Sequence, residues 1–451
     1  MQVHKFILNG LYIVLDINSG AVHIVDNLVY DIMGIFTGAN DAEVIDALTD
    51  KYPDGDISEA LQELKELVKA GQLLSPELTV PLTFSEQPLV KSLCLHVAHD
   101  CNLRCGYCFA GTGDFGHSRG LMPAAIGERA VDFIIENSGP RRNCELDFFG
   151  GEPLMNMDTV RHVVSYVRKR EAETGKVFKL TLTTNAVLLS DEIINYLNEN
   201  NISLVLSLDG RPEVHDRMRP NAGGRGSYAD AASRSEKLVA SRGGQNYYLR
   251  GTFTAYNLDF AADVLSMADR GFAQLSVEPV VAKEADYALN AAHLPALFRQ
   301  YELLAEEYLN RKLSGNGFEF FHFNLDLSNG PCVAKRLSGC GAGHEYFAVT
   351  PDGDLYPCHQ FVGRDEYKLG NVYEGVTNQA MPVKFRQAHV LNKPACRECW
   401  ARFYCSGGCH ANADLFHSDL HQPYELGCEL QKKRLECAIM IQAKLAMANQ
   451  E

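Results

Sequence analysis

Cysteines are the residues best suited to chemistry in this sequence, and their spacing poses a question of coordination. Cys101, Cys105 and Cys108 occupy the stretch CNLRCGYCF as C-x3-C-x2-C, directly after the apolar run SLCLHVAHD. A structural zinc site takes four protein ligands and a cubane cluster has four irons, so three thiolates are one short for either. Either a distant side chain completes a zinc knuckle, or three irons are held and the fourth is open to a bidentate ligand such as the amine and carboxylate of an amino acid. Seven further cysteines, Cys340, Cys358, Cys396, Cys399, Cys405, Cys409 and Cys428, crowd the last quarter of the chain. Cys94, Cys144, Cys332 and Cys437 stand apart from both groups.

The elements that must position these thiols follow from the hydrophobic pattern. Residues 1–80 open with three β-prone runs, HKFILNG, LYIVLDINSG and AVHIVDN, punctuated by Asn-Gly and Ser-Gly turns. Three helical patterns come next, with Asp41 and Ser58 near plausible caps and Gly71 near an end. Together they predict a small winged-helix-like module, joined by a linker over 81–91. Over 92–313, six strand-like runs (SLCLHVA, CELDFF, VFKLTLTT, ISLVLSL, NYYLRGTFT and AQLSVEP) alternate with helices near 123–137, 157–172, 190–199, 227–241 and 258–270. This alternation predicts an α/β fold with a parallel sheet, whose chemistry gathers at the carboxyl ends of its strands. The short motifs DFFGGEP, TLTTNAVLL, LSLDG and LRGTFT all fall at such ends. Residues 314–451 form the cysteine-rich remainder.

Composition narrows the function classes. Lys and Arg number 42 against 57 acidic residues, a net charge of −15, which argues against nonspecific attraction to nucleic acid or anionic lipid. The apolar runs are too short to span a bilayer, and the start MQVHKFILNG has no secretory pattern, so the reading is cytoplasmic. Fourteen cysteines in a reducing compartment point to metal binding or catalysis rather than disulfides.

The three-cysteine frame, with its preceding strand and the following Phe109, resembles the radical S-adenosylmethionine (SAM) enzymes. That resemblance implies a partial (β/α)6 barrel and a 4Fe-4S cluster whose open iron takes the methionine part of SAM. Reductive cleavage there yields a 5′-deoxyadenosyl radical that abstracts hydrogen. Gly150, Gly151, Glu152 and Pro153 resemble the family's GGEP motif, which holds the SAM amino group. Asn185 ends a strand similar to the TNG type, with Ala186 where glycine is common. Ser207, with Asp209 beside it, falls where the family contacts the ribose, and Arg250 carries a planar fork suited to the SAM carboxylate. A capped strand end and a surface ion pair are the alternative readings of Ser207 and Arg250.

The segments CGAGHEYFAVTPDGDLYPC and CRECWARFYCSGGC, followed by Cys428, resemble the SPASM extension of that family. The resemblance implies two interleaved auxiliary 4Fe-4S clusters, an outer one on Cys396, Cys399, Cys405 and Cys428 and an inner one on Cys340, Cys358 and Cys409. Cys332 is a candidate fourth ligand of the inner cluster, and a vacancy for a substrate thiolate is the alternative. Two zinc ribbons would use the same cysteines without explaining the glycine placement. The whole arrangement resembles maturases of ribosomally made peptides, in particular those of six-cysteine SCIFF peptides that form thioethers of the ranthipeptide or sactipeptide kind. It implies three 4Fe-4S clusters, SAM, an external electron donor and a cysteine-rich precursor peptide gripped through its leader. A sulfatase-maturase-like oxidation, a carbon-carbon crosslinking enzyme and a non-enzymatic iron-sulfur sensor share most of these motifs.

Overall fold

The computed structural model describes residues 2–36, 40–77, 89–116, 119–327, 330 and 337–449. Most of the expected linker and the whole of Cys332 lie outside the described residues. The amino-terminal part is a three-stranded antiparallel sheet of β1 (Val3–Leu8), β2 (Leu11–Asp16) and β3 (Val22–Val25), in that order. Three helices follow, α1 (Asn27–Ile32), α2 (Asp41–Leu48) and α3 (Asp54–Lys69). The cap of α2 is Asn40, whose side chain accepts from the Ala42 N–H. Ser58 caps nothing: α3 begins four residues earlier, after Pro53, and the Ser58 hydroxyl donates back to the Asp54 carbonyl inside the helix.

The central strand β2 is buried on both faces. Val14 packs with Ile32, Val44, Ile57, Leu61 and Leu64 of the helices, while Phe6, Leu11, Ile13 and Leu15 belong to the core of the main domain. The His4 ring stacks on Trp400 at 3.8 Å between centroids, and its Nε2 lies 3.1 Å from Glu436. The module is therefore wedged against the cysteine-rich part rather than hung on a tether.

The main sheet contains the six expected parallel strands in sequence order: β4 (Ser92–His99), β6 (Asn143–Gly150), β7 (Val177–Thr184), β8 (Ser203–Ser207), β9 (Tyr247–Phe253) and β10 (Gln274–Pro279). A two-residue strand, β5 (Gly120–Leu121), pairs antiparallel with the end of β4. The crossover helices α4 (Ala124–Asn137), α5 (Met157–Thr174), α6 (Asp191–Glu199), α8 (Tyr228–Ser241) and α9 (Phe260–Asp269) match the predicted positions within a few residues. Two further helices, α7 (Pro212–Met218) and α10 (Leu294–Leu313), were not anticipated. The central strand β4, covered on both sides, is buried at every position after its first.

The sheet does not stop at residue 313. Strand β11 (Glu319–Phe320) adds parallel to β10, and β12 (Tyr346–Val349) adds parallel to β4 on the other edge. Strands β13 (Asp354–Tyr356), β14 (Gly370–Asn371) and β15 (Gly375–Val376) continue from β12. The cysteine-rich segment thus begins as an extension of the barrel sheet, and the final helix Glu425–Ala448 returns to pack against α10. Among the described residues no helix is long and apolar enough to cross a membrane.

Candidate active site

The loop bearing the three-cysteine frame leaves β4 and is pinned from outside. Arg104 N–H donates to Pro220 O at 2.7 Å, and Gly106 N–H to Met218 O at 2.8 Å, so the segment after α7 holds it down. Gly113 takes φ 95°, and a Cβ there would meet Cys101 Cβ at 2.9 Å, so only glycine lets the loop fold back on itself. All three cysteines face one cavity of about 870 Å³. Burial pushes the Cys101 thiol up to about 12 and that of Cys105 to about 11, against the pull of Arg219 on the latter. Without a cation these thiols stay protonated, and it is bound iron that would make them thiolates.

Gly150 and Gly151 line the cavity, and their lack of side chains is also required by the packing of the strands behind it. A Cβ on Gly150 would stand 2.2 Å from Ala98 O, and one on Gly151 2.1 Å from Asp100 O. The missing side chains let the ends of β4 and β6 lie against each other, with Gly151 N–H on Ala98 O at 2.8 Å and Glu152 N–H on Asp100 O at 2.9 Å. Glu152 lines the cavity but is buried, and it accepts from Leu154 N–H, Thr184 Oγ1 and Asn185 N–H. Three internal donors leave its carboxylate about one lone-pair site for a ligand ammonium. Burial pushes that carboxyl up to about 7. Pro153 starts a short 3-10 helix and does not line the cavity.

Asn185 spans two motifs. Its Nδ2 donates to Asn102 Oδ1 at 2.7 Å and lies 3.8 Å from Cys101 Sγ, which fixes the end of β7 to the cysteine loop. The next residue, Ala186, is fully buried at φ 66°, the left-handed region that favours glycine. Ser207 and Arg250 both face the cavity, Arg250 exposed there with no hydrogen bond from its guanidinium among the described residues. Phe109 lies half open to it, with its ring 5.5 Å from that of His359.

Asp209 is not a ligand position in this geometry. It is buried outside the cavity lining, where Arg219 grips it through Nε at 2.9 Å and Nη2 at 3.1 Å while Thr252 N–H and the Tyr107 hydroxyl donate to it. Arg219 itself faces the cavity and lies next to Cys105. Sequence reading passed over it. The signal was an arginine ten residues after the strand-end aspartate, in HDRMRP. Glu278, at the end of β10, was also missed; it pairs with His322 at 3.1 Å and with Arg434 of the final helix at 3.4 Å.

The later cysteines fall into two groups by mutual influence. Burial raises Cys358, and after it the charges of Cys409 and Cys340. Burial likewise pushes Cys428 up to about 12, followed by Cys405, Cys396 and Cys399. The first group matches the inner set implied by the family resemblance and the second the outer set. Cys405, Cys409 and Cys428 reach the same cavity as Cys101, Cys105 and Cys108. Among the described residues no three His, Cys, Asp or Glu side chains gather tightly enough for a single ion. A cubane spreads its ligands, one thiolate per iron. The donor chemistry, three thiols around an open chamber with a carboxylate and free guanidinium nearby, fits a 4Fe-4S cluster with SAM chelated to it.

Comparison with known proteins agrees with this geometry. Residues 91–231 match a 4Fe-4S single cluster domain, and residues 340–400 match the SPASM iron-sulfur cluster-binding domain. A cysteine-type anaerobic sulfatase-maturating enzyme of Clostridium novyi (strain NT) is 25% identical over 333 residues, 70% of this chain and 86% of its own. The structure of native anSMEcpe with bound AdoMet and Cp18Cys peptide superposes with a TM-score of 0.65 at 20% identity, over 79% of this chain and 99% of that one. Streptococcus suis SuiB bound to precursor peptide SuiA has a TM-score of 0.50 at 16% identity, over 94% of this chain and 97% of that one. The motif cysteines, the fold and both matched domains together support the reading of this chain as an enzyme of the radical SAM family with a SPASM iron-sulfur cluster-binding domain.

Proposed function

We propose that this enzyme forms thioether crosslinks, joining a cysteine sulfur to a carbon of another residue in a ribosomally made, cysteine-rich peptide. The observation that carries the reading is the single chamber, which Cys101, Cys105 and Cys108 line together with Cys405, Cys409 and Cys428. A substrate carbon can thus lie by the SAM site while the sulfur that will join it lies by the inner auxiliary site. The cluster, when bound, supplies the electron that cleaves SAM and so the radical that takes hydrogen from carbon. The chain's own groups do the rest. Glu152 and Arg250 offer an acceptor and a donor for the amine and carboxylate of SAM, Ser207 one for its ribose, and Asn185 ties the cysteine loop to β7. Around the inner site Cys340, Cys358 and Cys409 leave room for a substrate thiol, whose proton is lost when sulfur binds metal.

The module of residues 1–80 is proposed to hold the leader of that peptide by strand addition along the edge of the sheet at β3 and the groove of the first helix. SuiB, solved with a precursor peptide, matches 94% of this chain, which leaves only about 27 residues unmatched, so the match extends into this module. The chain's acidity suits a partner with a basic leader.

The sulfatase-maturating relative favours a second reading, oxidation of one side chain without a crosslink. Anaerobic reaction with a cysteine-rich peptide encoded beside the gene, followed by mass spectrometry, separates the two. A thioether removes two hydrogens per bridge, blocks its cysteine from alkylation and suppresses fragmentation between the joined residues. Loss of hydrogen with fragmentation and alkylation unchanged would overturn the thioether reading.

A further inference from the structure

Two cations near the late cysteines have no carboxylate to answer them. Lys393 is completely buried, and its Nζ makes one hydrogen bond, to the Gly407 carbonyl at 2.8 Å. Arg402 is also buried; it donates to the Arg397 carbonyl at 3.0 Å and to Asn18 Oδ1 at 3.0 Å, and its Nε finds no partner. Among the described residues neither lies within ion-pair distance of an Asp or Glu. A buried ammonium with only one neutral acceptor is costly, by several kcal/mol in typical proteins, and is kept where an anion faces it.

The anions in question are thiolates. Lys393 is close enough to feel Cys396, Cys405 and Cys428, which belong to the outer set, and also Cys409, which belongs to the inner set. It lies beside Gly407, where a Cβ would stand 3.6 Å from Nζ, in the loop that runs from Cys405 to Cys409 and so joins the two sets. Four thiolates around a 4Fe-4S core carry net negative charge, whereas four thiols carry none. Only the loaded state gives the ammonium a counterion.

We propose that Lys393 is the shared counterion of the two auxiliary clusters, setting the reduction potential of both from one buried position. A cation fixed between two anionic clusters favours their reduced forms, because reduction adds negative charge that it stabilises, and it lessens the repulsion between them. The inference rests on the two-cluster reading of the SPASM segment. It goes beyond that reading in naming what balances the clusters' charge. Arg402 supports the outer cluster alone, since its contacts run to Asn18 and the Cys396–Cys399 turn.

The test uses the reconstituted holoenzyme. Total iron in the wild type, roughly twelve per chain for three cubanes, checks the cluster reading separately. Lys393→Met keeps the stem and removes the charge, and Lys393→Arg keeps the charge. EPR-monitored redox titration should show both auxiliary potentials lowered in Lys393→Met, by at least a tenfold change in the reduction equilibrium, which is 59 mV for a one-electron couple. The SAM-cleaving cluster, on Cys101, Cys105 and Cys108, should keep its potential and serves as the internal reference. Loss of auxiliary iron in Lys393→Met with retention in Lys393→Arg also supports the proposal, since charge is then what holds the clusters. Full iron with unmoved potentials in Lys393→Met overturns it, as does equal loss of iron in both variants, which would mark the side chain as a structural anchor of Gly407.

Discussion

Ala186 shows how a single residue registers the demands of the site. The chain must turn sharply after Asn185 so that its side chain can reach Asn102 while its N–H reaches Glu152, and the turn forces φ 66° on a residue with a Cβ. The left-handed conformation costs an L-residue about 1–2 kcal/mol, partly offset by the lower entropy of alanine in the unfolded chain. Ala186→Gly should therefore leave stability unchanged or raise it by up to about 1 kcal/mol, read as a shift in urea midpoint. The cysteines make the stricter prediction. With Cys101, Cys105 and Cys108 all changed to alanine, 5′-deoxyadenosine production under dithionite should vanish while about two thirds of the iron remains. Continued SAM cleavage in that variant would remove these residues from the active site.

At the scale of an element, β6 carries a carboxyl the mechanism does not use. Asp147 is buried beside Cys94, 4.0 Å from its Sγ, and its Oδ1 has no hydrogen-bond partner. Burial pushes it up to about 7 from 3.8, with Arg250 pulling the other way. The native state therefore keeps a proton that the unfolded chain has released, so stability is highest below about pH 4 on this account and falls as pH rises to about 7. Asp147→Asn should flatten that slope, as seen in anaerobic urea unfolding at pH 5.5 and 7.5; an unchanged slope would assign the pH dependence elsewhere. The amino-terminal sheet makes a second case. Phe6, Leu11, Ile13 and Leu15 belong to the core of the main domain, and deleting the module would remove them and uncover the apolar main-domain side chains they cover, at about 1.5–3 kcal/mol for each side chain fully exposed. Truncation is thus a poor probe of leader binding. Ile24→Asp, at a half-open position of the β3 edge, should weaken binding of a fluorescent precursor about tenfold with SAM cleavage intact.

The whole molecule matters because the chamber belongs to no single segment. Its walls come from the β4 loop, the ends of β6 to β10, the Cys405–Cys409 turn and the final helix. If the inner site takes the substrate sulfur through an open position, Cys409→Ala should abolish crosslinked product while 5′-deoxyadenosine is still released. Cys332→Ala should retain both product and iron. Inner-cluster iron lost from Cys332→Ala would close that site and leave sulfur activation to be found elsewhere.

Local pattern was enough for much of this. The six parallel strands, five crossover helices and the places of the motifs were legible because apolar period and turn residues act over a few neighbours, and thiol spacing is a local count. Ser207 and Asn185 stand at strand ends and Arg250 in the middle of β9, and all three line the chamber. Other features needed distant residues to meet. Asp209 looked like a ligand until Arg219 and Tyr107 closed over it, and only folding shows that Gly150 and Gly151, besides lining the chamber, leave room for the carbonyls of Ala98 and Asp100. Glu278 drew no notice because its partners, His322 and Arg434, are 44 and 156 residues away in sequence. Lys393 reads as one more surface lysine; only packing takes it out of water and sets it between two groups of thiols. Sequence determines which groups are present and the elements that carry them, while burial and charge balance are sums over long-range contacts that exist only in the folded chain.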